Sequence, residues 1–165
     1  MIGVSWMELM IQYRGIKHNV LNDAPFIGAI IIAPSCFREC LGCQNKDLKN
    51  SPLYDNTAFD IISLVKKNKF NQGIILAGLE WTCSPNEMKE LIHAGLDAEL
   101  QVMIYTYMTE IKFTDTFPDL FQLPIWVKFG EYVDSLKTDS NIQHGVKLAT
   151  SNQCIKYMGG EQWEN

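Results

Sequence analysis

Residues 27–33 read Ile-Gly-Ala-Ile-Ile-Ile-Ala, an apolar, β-branched run with no alternation. A strand with one wet face alternates apolar and polar side chains. A strand buried on both faces does not, and a parallel sheet covered on both sides is the usual place for one. The run therefore commits the chain to a layered α/β architecture. Pro34-Ser35-Cys36 breaks it, and a polar, cysteine-rich loop follows to Asn50. Residues 57–68 then place Phe59, Ile61, Ile62 and Val65 on helical spacing, with Asp55 or Asn56 as the cap. Gly73 precedes a second buried strand at 74–77. Ser84, Pro85 and Glu87 form a helix start, and Gly95 is the expected stop of that helix. Residues 101–106 and 125–129 are the third and fourth strands, the latter ended by Gly130, and 146–149 is a last extended stretch. Strand–helix alternation with short loops predicts a mostly parallel sheet, helices outside it and right-handed crossovers. Four to six such units are too few for a closed eight-fold barrel, so an open partial (β/α) barrel is expected, as a single domain over 1–165.

The chain of 165 residues carries a formal net charge of −5, and its basic residues are scattered, which argues against a nucleic-acid surface. Lys66, Lys67 and Lys69 cluster where a helix end would favour positive charge. The longest apolar run, 26–34, is too short to span a bilayer. Residues 1–10 lack the basic start and small-residue cleavage site of a signal peptide, so the cytoplasm is expected. Five cysteines is an odd number for a disulfide framework, and in a reducing compartment clustered cysteines are metal ligands or reactive thiols.

Parallel sheets place their chemistry at the carboxyl ends of the strands. The cysteines follow the first strand, residues 78–80 follow the second, Tyr105 and Thr106 end the third, and Lys128 lies near the end of the fourth. Cys36-Phe-Arg-Glu-Cys40-Leu-Gly-Cys43 has the spacing C-x3-C-x2-C. Three soft thiolates on one loop suit an iron–sulfur cluster or zinc. Three cysteines on a four-iron cubane leave one iron open to another ligand. A zinc site would need a fourth ligand from Cys83, Cys154 or His93. Structural zinc favours paired hooks at two places in a chain, and no second hook exists here. Cys83 and Cys154, each isolated, read as small buried hydrophobes.

The triad resembles the signature of the radical S-adenosylmethionine family. Its closer likeness is to the activating proteins of anaerobic ribonucleotide reductases. Cys43-Gln44-Asn45 resembles their Cys-His-Asn or Cys-Phe-Asn. Gly78-Leu79-Glu80 stands where they have Gly-Gly-Glu, Tyr105-Thr106-Tyr107 is similar to Tyr-Thr-Gly, and Ser151-Asn152-Gln153 is similar to their Ser-Asn-Gln. Residues 127–137 resemble a stretch with valine, then glycine, then an acidic and apolar helix start. The likeness spans about 26–155. It implies a [4Fe–4S] cluster on Cys36, Cys40 and Cys43, with S-adenosyl-L-methionine on the open iron. It also implies cofactor contacts from Gly42 and Gln44 to the adenine, from Gly78 and Glu80 at the amine, and from Lys128 to the carboxylate or ribose. The implied activity is a glycyl-radical activase. Its partners would be a large anaerobic ribonucleotide reductase and a flavodoxin-like or other low-potential electron donor.

Leu79 and Tyr107 stand where the resembled proteins have glycine, and Trp81 and Thr82 follow where proline is common. The ordinary reading of Arg38, Lys46 and a strand-end Lys128 is a solvated charge, of Glu80 an exposed loop acid, of Asn45 a turn residue, and of Tyr105 core. Segment 6–13, with Met7 and Met10, reads as packing. His18, His93 and His144 have no ligand spacing. Two other functions fit the same residues. One is a small-molecule radical enzyme resembling 7-carboxy-7-deazaguanine synthase; the other is a non-catalytic zinc- or cluster-binding interaction module.

Overall fold

A computed structural model describes residues 8–40 and 42–160. Trp6 and Met7 lie outside the described residues. Four parallel strands form the centre of a six-stranded sheet: β3 (Gly28–Ile32), β5 (Gly73–Ala77), β6 (Gln101–Tyr105) and β7 (Trp126–Phe129), next to one another in chain order. They are flanked by two antiparallel edge strands, β2 (Ile16–Val20) beside β3 and β10 (Cys154–Tyr157) beside β7. A short ribbon pairs β1 (Met10–Tyr13) with β4 (Tyr54–Thr57), and β8 (Ile142–Gln143) pairs with β9 (Val146–Lys147). Ile11 and Tyr13 of β1 are buried and pack against the core, whereas Met10, expected to pack, is exposed.

Parallel strands in chain order leave one arrangement for right-handed crossovers: every connecting helix falls on the same face. The packing shows this. Ile31, Ile74, Leu76, Val102, Ile104 and Val127 form one buried cluster with Ile61 and Val65 of α1 (Ala58–Lys67), Leu91 and Ile92 of α2 (Pro85–Asp97) and Phe113 of α3 (Glu110–Thr116). The alternate strand residues Ile75, Ala77 and Met103 face the other way. They pack on Val20, Ala24 and Phe26, which precede β3, and on Val146 and Leu148 from the C-terminal segment. Both faces are covered, as the run at 27–33 requires, but by different means. The sheet is open, with β2 and β10 as unjoined edges, and is not a closed barrel.

Helix boundaries differ from expectation at three points. Asp55 and Asn56 belong to β4, and the cap of α1 is Thr57, whose hydroxyl accepts from the Asp60 N–H at 3.2 Å. Ser84 occupies the cap of α2, but its side chain makes no capping bond; its carbonyl accepts from the Met88 N–H at 2.9 Å. Gly95 does not stop α2, which runs on to Asp97. A β-carbon there would lie 2.9 Å from Ile74 Cδ1, so Gly95 lets the helix lie close against the sheet. Among the described residues, no helix is long and apolar enough to cross a membrane.

Candidate functional site

A cavity of about 290 Å³ lies at the carboxyl ends of the parallel strands. Each strand contributes through its last residues or the loop that follows it. Cys36, Cys40 and Cys43 come from the loop after β3, Gly78 and Glu80 from β5, Tyr105 and Tyr107 from β6, and Lys128 and Glu131 from β7. Lys147, Leu148, Ala149 and Gln153 close one side.

The cysteine loop is tied at both ends by one side chain. Arg14 donates from Nε to the Pro34 carbonyl at 2.8 Å and from Nη1 to the Ser51 carbonyl. Within the loop, the Cys43 N–H donates to the Cys40 carbonyl at 3.1 Å, with Gly42 at φ +74° between them. That left-handed geometry favours glycine. Gly42 abuts Tyr132 and Asp134 and does not line the cavity, whereas Gln44 and Asn45 do. Cys36 and Cys40 are half-buried and Cys43 is exposed. Burial pushes the Cys36 thiol above its ordinary range; the Arg38 backbone opposes this and Glu80 adds to it. The three thiols share a cavity wall without closing on a common point, since among the described residues no three His, Cys, Asp or Glu side chains are grouped to hold one metal ion.

Glu80 is not an exposed loop acid; it is 7% exposed. Its Oε2 accepts from the Tyr107 N–H at 3.1 Å, and its Oε1 accepts from the Thr82 hydroxyl at 2.7 Å and the Thr82 N–H at 3.4 Å. A carboxylate has about four acceptor positions, so capacity for a ligand's donor remains. Gly78, at φ +88°, turns the chain from β5 into the cavity, and a β-carbon there would lie 2.8 Å from Ile32 Cγ2. Leu79, which stands at the second glycine of the resembled pattern, is buried with the helix-side core. Gly78 thus makes the close turn. Trp81 is fully buried and donates from Nε1 to the Ile31 carbonyl at 2.9 Å.

Lys128 is likewise not solvated. It is 8% exposed and donates to the Gly130 carbonyl at 2.9 Å. Burial pushes its amine down to about 8, partly offset by Glu80 and Cys154. Tyr105 is half-buried rather than sealed in the core. It lines the cavity, and its hydroxyl donates to the Asp23 carbonyl at 2.7 Å; burial raises its pKa above the ordinary phenol value. Arg38 is partly buried instead of free in solvent, while Lys46 is exposed as expected.

Ser151-Asn152-Gln153 acts as a clamp on the turn after β7. Asn152 donates to the Glu131 carbonyl at 2.9 Å, and Gln153 Nε2 donates to the Gly130 carbonyl at 3.3 Å, the same oxygen that receives Lys128. Cys83 and Cys154 are half-buried rather than fully buried. Burial pushes the Cys83 thiol up, opposed by the Phe37 backbone, and Cys154 lies near Lys128. His18 bonds Asn71, His144 stacks on Trp126, and neither they nor His93 line the cavity. Sequence reasoning weighed Arg38 as a charge offsetting a cluster but favoured a solvated loop charge, and it missed Tyr107, Glu131 and Asp23 as parts of the site. No local signal marks them, because each acts through a partner distant in sequence.

The donor set suits an anionic sulfur-rich group. Three soft thiolates come from one loop. Arg38 lines the same cavity as Cys40, and among the described residues Arg38 Nε is the one buried side-chain nitrogen or oxygen without a hydrogen-bond partner. Lys49 and Lys128 add positive charge to the same cavity. No family model matches the chain, and no curated protein is significantly similar to it.

Proposed function

We propose that this chain is a radical S-adenosylmethionine enzyme of partial-barrel type, and that it installs a glycyl radical on a large anaerobic ribonucleotide reductase. The observation that carries the reading is the C-x3-C-x2-C loop lying in one cavity with Glu80 and Lys128, at the carboxyl end of a parallel sheet. Cys36, Cys40 and Cys43 would hold a [4Fe–4S] cluster. When bound, the cluster supplies one electron to S-adenosylmethionine and yields a 5′-deoxyadenosyl radical.

The chain's own part is binding, orientation and exclusion of water. Glu80, fixed by Thr82 and Tyr107, presents a buried carboxylate toward a ligand amine, a charge-assisted contact. Lys128 offers a buried cation to a ligand carboxylate. Gly78 brings backbone rather than side chain to the cavity. The apolar bodies of Tyr105, Leu79 and Leu148 limit water around these charges.

The cavity's size favours a macromolecular substrate over a second small molecule. At about 290 Å³ it falls at the low end of ligand pockets, typically ~300–1,000 Å³. That leaves little room for a further substrate beside a cofactor, so the reacting glycine would reach the cavity from outside. Cys43, Gln44 and Asn45, exposed beside the cavity, form a side from which a partner's loop can approach. An electron donor of low potential, such as a flavodoxin-like protein, completes the requirements.

The test is anaerobic reconstitution with iron and sulfide. About four irons per chain and reductive cleavage of S-adenosylmethionine to 5′-deoxyadenosine are expected, both lost in Cys40→Ala. With a candidate reductase present, a glycine-centred doublet should appear in electron paramagnetic resonance. One bound zinc with the cofactor left intact would make the chain an interaction module instead. Cofactor cleavage with no radical on any reductase would favour the small-molecule enzyme.

A further inference from the structure

Among its described residues, the cysteine loop has no regular structure between the end of β3 and the short helical turn Lys46–Asn50. Arg14 ties its ends, but the stretch that carries the ligands is held by a different side chain. The Arg38 guanidinium carbon lies 4.3 Å from the centre of the Tyr107 ring. Phe37 meets the same ring edge-on at 5.9 Å between centres, and Lys112 Nζ lies 5.2 Å from its centre. Tyr107 is fixed in turn by its N–H bond to Glu80. On its other side Arg38 forms an ion pair with Glu131, whose own carbonyl is held by Asn152. One side chain thus joins the loops after β3, β6 and β7, in the cavity that Cys40 also lines. A planar guanidinium can stack and pair at once, whereas a lysine ammonium would pair without stacking. Tyr107 occupies a position where the resembled proteins have glycine, so this clasp belongs to the chain's own residues.

We propose that Arg38, stacked on Tyr107 and paired with Glu131, is a positioning residue that orders the cysteine loop before a metal group arrives and would place positive charge beside that group once it is bound. The inference rests on the reading of Cys36, Cys40 and Cys43 as ligands of one such group. Its first consequence needs no metal at all. Loss of the clasp frees the loop locally and leaves the sheet intact, because Arg38 contributes to neither core cluster.

The test compares the full-length chain with Arg38→Ala, Arg38→Lys, Tyr107→Gly and Tyr107→Phe. In metal-free protein, amide hydrogen exchange across 36–43 should quicken about five- to thirty-fold in Arg38→Ala and Tyr107→Gly, the scale of one lost cation–π and ion-pair contact. Tyr107→Phe keeps the ring and should match wild type, while Arg38→Lys should fall between. Exchange in β5 and β6 should be the same in wild type, Arg38→Ala, Arg38→Lys and Tyr107→Phe, since Tyr107→Gly alone also removes a ring packed on the core. After anaerobic reconstitution, the midpoint potential of the cluster should be lower in Arg38→Ala than in wild type, because a nearby positive donor that favours the reduced form is gone. Unchanged loop exchange in Arg38→Ala and Tyr107→Gly overturns the proposal. So does an unchanged potential, which would leave Arg38 a structural tie alone. A wild-type chain that assembles no cluster sinks the function proposed above, and is told apart because the exchange comparison is made without metal.

Discussion

The backbone N–H of Tyr107 donates to Glu80 Oε2 at 3.1 Å, so the end of β6 is fastened to the acid that follows β5. The bond joins two strand-end loops of the cavity, and Thr82 holds the other carboxylate oxygen. Removing the carboxylate leaves a partly buried N–H without its acceptor. Glu80→Ala should therefore cost about 1–3 kcal/mol, the usual penalty for an unsatisfied buried donor. Glu80→Gln retains an acceptor oxygen and should cost less. Urea midpoints at unchanged m-value would check both. Equal midpoints for wild type and Glu80→Ala would show that the bond contributes nothing.

Gly78→Ala should be harmful for two separate reasons. At φ +88° the residue is in the left-handed region, which costs an L residue about 1–2 kcal/mol. The new methyl would also lie 2.8 Å from Ile32 Cγ2, on a strand that cannot easily move. Thermal unfolding should show a fall in midpoint, and binding of S-adenosylmethionine to the reconstituted protein should weaken with it. A variant as stable as wild type would mean that the turn adopts another geometry.

The four central strands were readable because burial on both faces removes alternation; all five residues of β5 are buried. The edge elements β2, β4 and β10 were not, since each is short and has exposed polar positions, as in Lys17-His18-Asn19. Helix α3 escaped notice because its seven residues bury only Phe113. The C-x3-C-x2-C spacing was visible because it is contiguous. The burial of Lys128 was not, because it depends on residues 147–153 crossing the sheet's other face, and nothing beside Lys128 in sequence reports that. Arg38 and Tyr107 share this property: 69 positions separate two side chains that stack.

Trp81 connects the stability of the fold to the placement of Glu80. It is fully buried in the helix-side cluster and anchored to Ile31 of β3 through its indole N–H. Trp81→Ala should cost about 3–5 kcal/mol, the range for deleting a large core aromatic. Trp81→Phe should cost less, keeping part of the packing and losing the 2.9 Å bond. Denaturant titration would rank the three proteins. A Trp81→Ala chain within 1 kcal/mol of wild type, by the same scale, would remove this residue from the core.

Lys128 should make stability depend on pH in a defined direction. In the folded chain its amine titrates at about 8, below the ordinary lysine value of 10.5, because burial disfavours the charged form. Between these two values the unfolded chain binds a proton that the folded chain does not, so this residue's contribution to stability rises with pH across the window. Below about 8 both states are protonated and the folded chain bears the full cost of a buried charge. The gap corresponds to about 3 kcal/mol at most, and loss of the bond to the Gly130 carbonyl offsets part of it. Lys128→Met should therefore be more stable than wild type at pH 7, with the advantage shrinking toward pH 10. The Cys36 and Cys83 thiols, pushed up by burial, act in the opposite sense, since the unfolded chain loses their protons first. They are common to both proteins and cancel in the comparison. Urea unfolding of the pair at four pH values would check this, with thiols kept reduced. Parallel curves from pH 7 to 10 would show that Lys128 titrates normally and is not the buried cation that the cavity needs for a ligand carboxylate.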